Sequence, residues 1–101
     1  MPTVYLSLGS NLGNRQAQLT NATTLLTERA GYIPALSGFY ETEAWGYDSI
    51  HPFLNIAVRL ETSLPPLELL TITQQIEQES GRILKKDKNR YEDRPIDIDI
   101  L

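Results

Sequence analysis

The chain has 101 residues with 41% hydrophobic and 22% charged residues, a net charge of −4 at pH 7 and no cysteine. This length fits a single domain over residues 1–101, and the acidic balance argues against a general nucleic-acid binder, which needs a basic surface. Disulfides and thiol chemistry are excluded, and because no signal sequence and no apolar run of about 20 residues is present, we expect a soluble cytoplasmic protein without a membrane partner.

The first elements predicted along the chain are a strand, a turn and a helix. Residues 4–8 are β-prone, glycines and asparagines break the pattern over residues 9–14, and a helix follows over residues 15–30. The turn lacks the Gly-Lys-Ser/Thr ending of a Walker A phosphate loop. A structural connection with Asn11 or Asn14 as helix N-cap explains it adequately.

Two further strands, a second helix and a last strand are predicted at residues 36–42, 53–61, 65–81 and 95–101. The strand over residues 53–61 is the clearest, because its even positions from 54 to 60 are all aliphatic. Two prolines open the second helix, a position where proline is tolerated. The order βαββαβ predicts an α+β, ferredoxin-like fold: an antiparallel four-stranded sheet with two helices on one face.

The last strand carries two carboxylates, Asp97 and Asp99. In an extended strand they point to the same face, roughly 6.5–7 Å apart, a spacing that can hold one or two Mg²⁺ ions. Considered alone, the pair is better explained as a solvated acidic edge of the sheet. Arg94 and a basic loop precede the pair, and arginine beside metal-binding carboxylates suits phosphoryl transfer, although a surface salt bridge is the alternative.

Two other groups of side chains are candidates for a site. Gln74, Glu77 and Arg82 form a predicted polar strip on the exposed side of the second helix, where an ordinary helix surface is the competing interpretation. Three aromatic residues near an amide could sandwich a flat heterocycle, with core packing as the alternative. These residues are Trp45, Tyr47, Phe53 and Asn55.

The chain resembles the 6-hydroxymethyl-7,8-dihydropterin pyrophosphokinase family of folate biosynthesis along its whole length. The segments that carry the resemblance are residues 5–15 (YLSLGSNLGNR), 39–42 (FYET), 53–58 (FLNIAV) and 94–101 (RPIDIDIL). The resemblance implies an enzyme that transfers a pyrophosphoryl group from ATP to the hydroxymethyl group of the pterin, giving AMP and the pterin diphosphate.

The resemblance also implies roles for the residues at matching positions. Two Mg²⁺ ions would be held by Asp97 and Asp99, and the catalytic group would be Arg82, Arg94, Asp97 and Asp99. The implied ATP contacts are Gln74, Glu77, Arg82, Arg90, Arg94 and Ile100. The implied pterin contacts are Thr42, Ala44, Trp45, Phe53, Asn55 and Tyr91. Loops over residues 43–52 and 83–93 are implied to be mobile lids.

The chain stops at Leu101, directly after the Asp-x-Asp strand, whereas members of the resembled family continue well past it. This predicts a chain truncated at its C-terminus, with part of the site missing, weak turnover and a tendency to self-associate. A full-length protein is expected to be a monomer. The alternative to an enzyme is a non-catalytic ferredoxin-like ligand-binding module in which the acids and the basic loop are surface features.

Overall fold

The computed structural model describes residues 1–43, 51–80 and 95–101. The elements within these ranges are β1 (Thr3–Ser10), α1 (Arg15–Arg29), β2 (Tyr32–Leu36), β3 (Tyr40–Thr42), β4 (Phe53–Glu61), α2 (Pro66–Glu79) and β5 (Asp97–Ile100). The strands form one antiparallel sheet in the order β2-β4-β1-β5, and β3 also pairs with β4. The predicted α+β class and ferredoxin-like arrangement are confirmed.

The sheet differs from the prediction at the strand expected over residues 36–42: only residues 40–42 of that range form a separate strand, β3, and a further strand, β2, covers residues 32–36, of which only Leu36 was predicted. Between the last β2–β4 pair and the first β3–β4 pair, the β2–β3 side contains one residue more than β4. Ser37 fills this break: its N–H donates to the Ala57 carbonyl at 2.9 Å and its hydroxyl accepts from the Ala57 N–H at 2.8 Å. The described sheet therefore has five strands rather than four, with β2 and β3 sharing one edge of β4 across a bulge.

The hydrophobic core lies between one face of the sheet and both helices. Alternation in β1 and β4 turns the even-numbered aliphatic residues towards the helices, as the pattern of residues 53–61 predicts. In α1 the buried side chains recur every three or four residues, which forms one apolar stripe. The core residues are Leu6, Leu8, Leu19, Ala22, Leu26, Ala30, Ile56, Val58, Leu60, Leu69, Ile76, Ile96 and Ile98.

The ends of the helices are fixed by polar contacts. Asn14 is the N-cap of α1, since its side chain accepts a hydrogen bond from the Ala17 N–H at 3.1 Å. At the other end, Arg29 joins the two helices through paired bonds to Glu79 of 2.7 and 2.9 Å. This hydrogen bonding lowers the pKa of the Glu79 carboxyl and raises the pKa of the Arg29 guanidinium.

The opposite face of the sheet, which we call the outer face, carries the alternate residues of the strands. The residues of β1, β4 and β5 whose side chains lie on this face are Tyr5, Ser7, Gly9, Phe53, Asn55, Ala57, Arg59, Asp97 and Asp99. Tyr40 and Thr42 of β3 lie on the same face. Neither α1 nor α2 packs on this face. Within the described ranges, no helix combines the length and the apolar character that crossing a bilayer requires.

Candidate active site

The strand register places two predicted site residues, Asp97 and Asn55, in one row across the outer face. Asp97 pairs with Gly9, Gly9 pairs with Asn55, and Asn55 pairs with Tyr40. We call these four residues the central row. Directly paired residues point to the same face and neighbouring strands lie about 4.8 Å apart, so Asp97 and Asn55 are separated by about 10 Å. The row thus connects the predicted metal side to the predicted pterin side.

The amide of Asn55 has a defined orientation within this row. Its nitrogen donates to the Thr42 hydroxyl at 2.9 Å and to the Tyr40 carbonyl at 3.2 Å, and it also lies 3.4 Å from the Phe53 carbonyl. The amide oxygen faces the other way, over Gly9. The side-chain N–H groups of Asn55 are therefore bonded to β3, and the amide oxygen points as a hydrogen-bond acceptor towards the middle of the outer face.

Gly9 and Tyr40 are the two members of the row that were not predicted from the sequence as site residues, and Gly9 is the more constrained of them. A β-carbon at this position would lie 2.9 Å from the Asn55 Oδ1 atom and 3.2 Å from the Phe53 Cδ1 atom. Only hydrogen therefore fits under these two side chains without displacing them. The sequence assigned Gly9 to a turn, but its alternation with Tyr5 and Ser7 along β1 could have placed it on the outer face.

The two aspartates occupy β5 with their side chains on the outer face. Asp97 is half-buried and Asp99, which pairs with Ser7, is exposed, whereas Ile96 and Ile98 are buried on the helix side. Among the described residues, no group of three His, Cys, Asp or Glu side chains could form a metal cage made of protein alone. Mg²⁺ is usually bound by one or two carboxylates together with substrate phosphates, so a pair of aspartates fits this ion.

Glu77 lies on the helix side of β5 rather than on an exposed strip. It is only 6% exposed, and its Oε2 atom accepts a hydrogen bond from the Ile98 N–H at 2.7 Å. The N–H of Leu101 donates to the Tyr5 carbonyl, so by strand alternation the N–H of Ile98 faces away from β1 and needs another acceptor. The prediction of a shared exposed face is wrong for Glu77, while Gln74, one turn earlier, is exposed.

The other predicted site residues are either beside the row, on the helix side of the sheet or outside the described residues. Thr42 and Phe53 lie beside Asn55 on the outer face. Ile100 pairs with the buried Leu6 and therefore lies on the helix side of β5, with 39% of its surface exposed. The predicted residues that lie outside the described ranges are Ala44, Trp45, Tyr47, Arg82, Arg90, Tyr91 and Arg94. The predicted basic loop and the lid over residues 83–93 lie there too, as does most of the lid over residues 43–52.

Comparison with known proteins gives one family. The family described as 7,8-dihydro-6-hydroxymethylpterin-pyrophosphokinase (HPPK) matches residues 5–101. A 2-amino-4-hydroxy-6-hydroxymethyldihydropteridine pyrophosphokinase of Porphyromonas gingivalis is 55% identical over the whole chain, which spans 69% of that relative. The Bacillus subtilis protein of the same name is 45% identical over 96% of the chain and 57% of its own length. A folate synthesis bifunctional protein of Arabidopsis thaliana is 40% identical over 97% of the chain and 20% of its own length.

Proposed function

Because the chain belongs to the 7,8-dihydro-6-hydroxymethylpterin-pyrophosphokinase family, we propose that it transfers a pyrophosphoryl group from ATP to the hydroxymethyl oxygen of the pterin. The family places the chain among the kinases of folate biosynthesis. The proposed products are AMP and the pterin diphosphate. The observation that supports this reaction best is the central row, in which a carboxylate strand and an oriented amide share one face of the sheet.

The pterin side of the proposed site is built around Asn55. The amide oxygen over Gly9 can accept a hydrogen bond from an N–H group on the edge of a pterin, and the Phe53 ring supplies an apolar wall. The Thr42 hydroxyl fixes the amide by accepting its N–H at 2.9 Å. Ala44, Trp45 and Tyr91 are proposed further contacts on the evidence of the resemblance.

The phosphate side is proposed to lie at Asp97 and Asp99, which would hold two Mg²⁺ ions. When bound, Mg²⁺ would neutralise negative charge on the phosphate groups of ATP. The proposed ATP contacts are Gln74, Glu77, Arg82, Arg90, Arg94 and Ile100, of which Arg82 and Arg94 would also stabilise charge during transfer. Glu77 adjoins this side through its bond to the β5 backbone.

The chemistry requires positioning more than covalent work by the protein. The hydroxymethyl oxygen of the pterin attacks the β-phosphorus of ATP and loses its proton to water, while the bond from the β-phosphorus to the oxygen that bridges to the α-phosphate breaks. AMP then leaves with that oxygen. Asn55 would orient the acceptor at one end of the row, and Asp97 would fix the phosphate end about 10 Å away across three strands.

Two further expectations from the sequence stay predictions. These are a cytoplasmic location and the oligomeric state.

AMP formation under single-turnover conditions, with the protein in excess over ATP, tests the proposed function. We expect AMP and pterin diphosphate only when Mg²⁺ and the pterin are both present. The double variant Asp97→Asn, Asp99→Asn should form neither product, whereas Glu28→Gln, which changes an exposed carboxylate on α1, should match the unchanged protein. Binding of ATP and pterin without any AMP would favour the non-catalytic ligand-binding module instead.

A further inference from the structure

β3 is a weakly held element that nevertheless orients the amide of the proposed site. Its three residues are all exposed, including Tyr40 at 45%, so little apolar burial fixes it. On the outer face it supplies the Tyr40 carbonyl and the Thr42 hydroxyl to the Asn55 amide. The orientation of Asn55 therefore depends on what keeps β3 in place.

A second connection to β3 comes from the start of α1. Arg15 donates from Nη2 to the Glu41 carboxylate at 2.8 Å and from Nη1 to the Pro52 carbonyl at 3.0 Å. Glu41 pairs with Leu54 and therefore points to the helix side of β3, opposite Asn55. One guanidinium thus joins β3 to the residue that immediately precedes β4.

The turn before α1 supports the same arrangement. The Asn11 side chain is 2% exposed and donates to the His51 carbonyl at 3.0 Å, one residue before the carbonyl that Arg15 holds. A cavity of about 240 Å³ lies between the turn and residues 51–52. The two segments are therefore joined here by directed polar contacts rather than by close packing.

We propose that Arg15 is a positioning residue for the pterin side of the site, a role that rests on the proposed function. By holding Glu41 and Pro52 together, Arg15 keeps β3 against β4 and so keeps the Asn55 amide turned towards Thr42 and its oxygen over Gly9. Arg15 itself need not touch either substrate. The planar guanidinium suits this role, because its fixed donors can serve two acceptors at once.

This role predicts an effect on recognition that a simple surface ion pair would not have. The side chains of Arg15 and Glu41 are 30% and 55% exposed, so the pair itself should contribute little to global stability. A displaced β3 would instead change the environment of one substrate only. The pterin should bind more weakly, while ATP, proposed to lie at the β5 end of the row, should bind as before.

The test compares Arg15→Ala, Arg15→Lys and Glu41→Gln with a matched control, Arg29→Ala. Arg29 also lies on α1 and also makes a two-bond bridge to a glutamate, but it joins α1 to α2. Equilibrium dissociation constants are measured separately for the pterin and for a non-hydrolysable ATP analogue with Mg²⁺. We expect Arg15→Ala to weaken pterin binding about tenfold and ATP-analogue binding less than twofold, as loss of a charged hydrogen bond would.

The other variants refine the expected result. Arg15→Lys cannot hold both acceptors in the same planar geometry, so its loss of pterin affinity should be smaller than that of Arg15→Ala. Glu41→Gln keeps an acceptor oxygen and should largely preserve pterin binding. Arg29→Ala should leave both constants unchanged. Pterin binding that is unaltered in Arg15→Ala, or an equal loss for both ligands, overturns the role of Arg15. If the unchanged protein itself does not bind the pterin, that result overturns the proposed function and this role together.

Discussion

Replacing Gly9 with alanine adds one methyl group at the centre of the proposed site. The new β-carbon would lie 2.9 Å from the Asn55 Oδ1 atom and 3.2 Å from the Phe53 Cδ1 atom, both closer than an ordinary van der Waals contact. The amide cannot turn away freely, because its nitrogen is bound to the Thr42 hydroxyl at 2.9 Å and the Tyr40 carbonyl at 3.2 Å. Rotation of Asn55 therefore breaks at least one of these bonds.

The size of the effect follows from those contacts. Each hydrogen bond is worth about 1 kcal/mol, and the misplaced acceptor also fails to meet the pterin. A combined loss of about 1.5–2 kcal/mol corresponds to pterin binding weakened by about 10-fold to 30-fold. Global stability should change by less than about 1 kcal/mol, because alanine in a strand regains roughly 0.5–1 kcal/mol of the backbone entropy that glycine loses on folding.

The assay is a pterin titration followed by calorimetry, together with a thermal unfolding curve for each variant. Gly38→Ala is the matched control, since a β-carbon there would meet nothing within 4 Å. Gly9→Ala should bind the pterin at least 10 times more weakly at a nearly unchanged unfolding temperature, as the energies above require. Equal affinities for Gly9→Ala and the unchanged protein would refute the reasoning, as would an equal loss in Gly38→Ala.

Three further predictions concern stability. Glu77→Ala removes the acceptor of the β5 N–H and should lower the free energy of unfolding by about 1.5–3 kcal/mol in urea titrations, with a smaller loss for Glu77→Gln. Gly31→Ala would drive a β-carbon into the backbone carbonyl of the last β4 residue, so we expect a loss of about 1–3 kcal/mol; an unchanged urea midpoint would contradict this. The bond from Arg29 lowers the pKa of Glu79 from its ordinary value of 4.5. The contribution of this ion pair to the stability of the fold is therefore fully present above pH 4.5 and is lost as the pH falls through the lowered pKa. The difference in unfolding temperature between Glu79→Gln and the unchanged protein should therefore disappear in acid, and a difference that persists at every pH would contradict it.

The main features of the fold follow from local patterns in the sequence. The aliphatic even positions of β4 determine its buried face, and the alternation of Asp and Ile in β5 places both carboxylates opposite the core. The turn before α1 offered Asn11 or Asn14 as N-cap, and in the structure Asn14 caps the helix. These features depend on neighbours in the chain, so a single sequence can reveal them.

Other features depend on residues that meet only after folding. The split between β2 and β3 requires Ser37 to bond Ala57, 20 residues away, and Glu77 becomes buried because Ile98, 21 residues later, needs an acceptor. Arg15 contacts Pro52, 37 residues away. Neither hydrophobic periodicity nor turn composition contains this information, and for this reason Glu77 was predicted to lie on an exposed surface and Gly9 was not predicted to belong to the site.

The central claim is that one face of the sheet binds the phosphates at Asp97 and Asp99 and the pterin at Asn55. Manganese, a paramagnetic substitute for magnesium, tests it directly when titrated with a non-hydrolysable ATP analogue while the backbone amide signals are followed by NMR. We expect the amide signals of Gly9 and Asp97 to broaden first and the signal of Gly31 to persist. The double substitution Asp97→Asn, Asp99→Asn should abolish the broadening. Broadening that begins elsewhere, or that survives the double substitution, would contradict it.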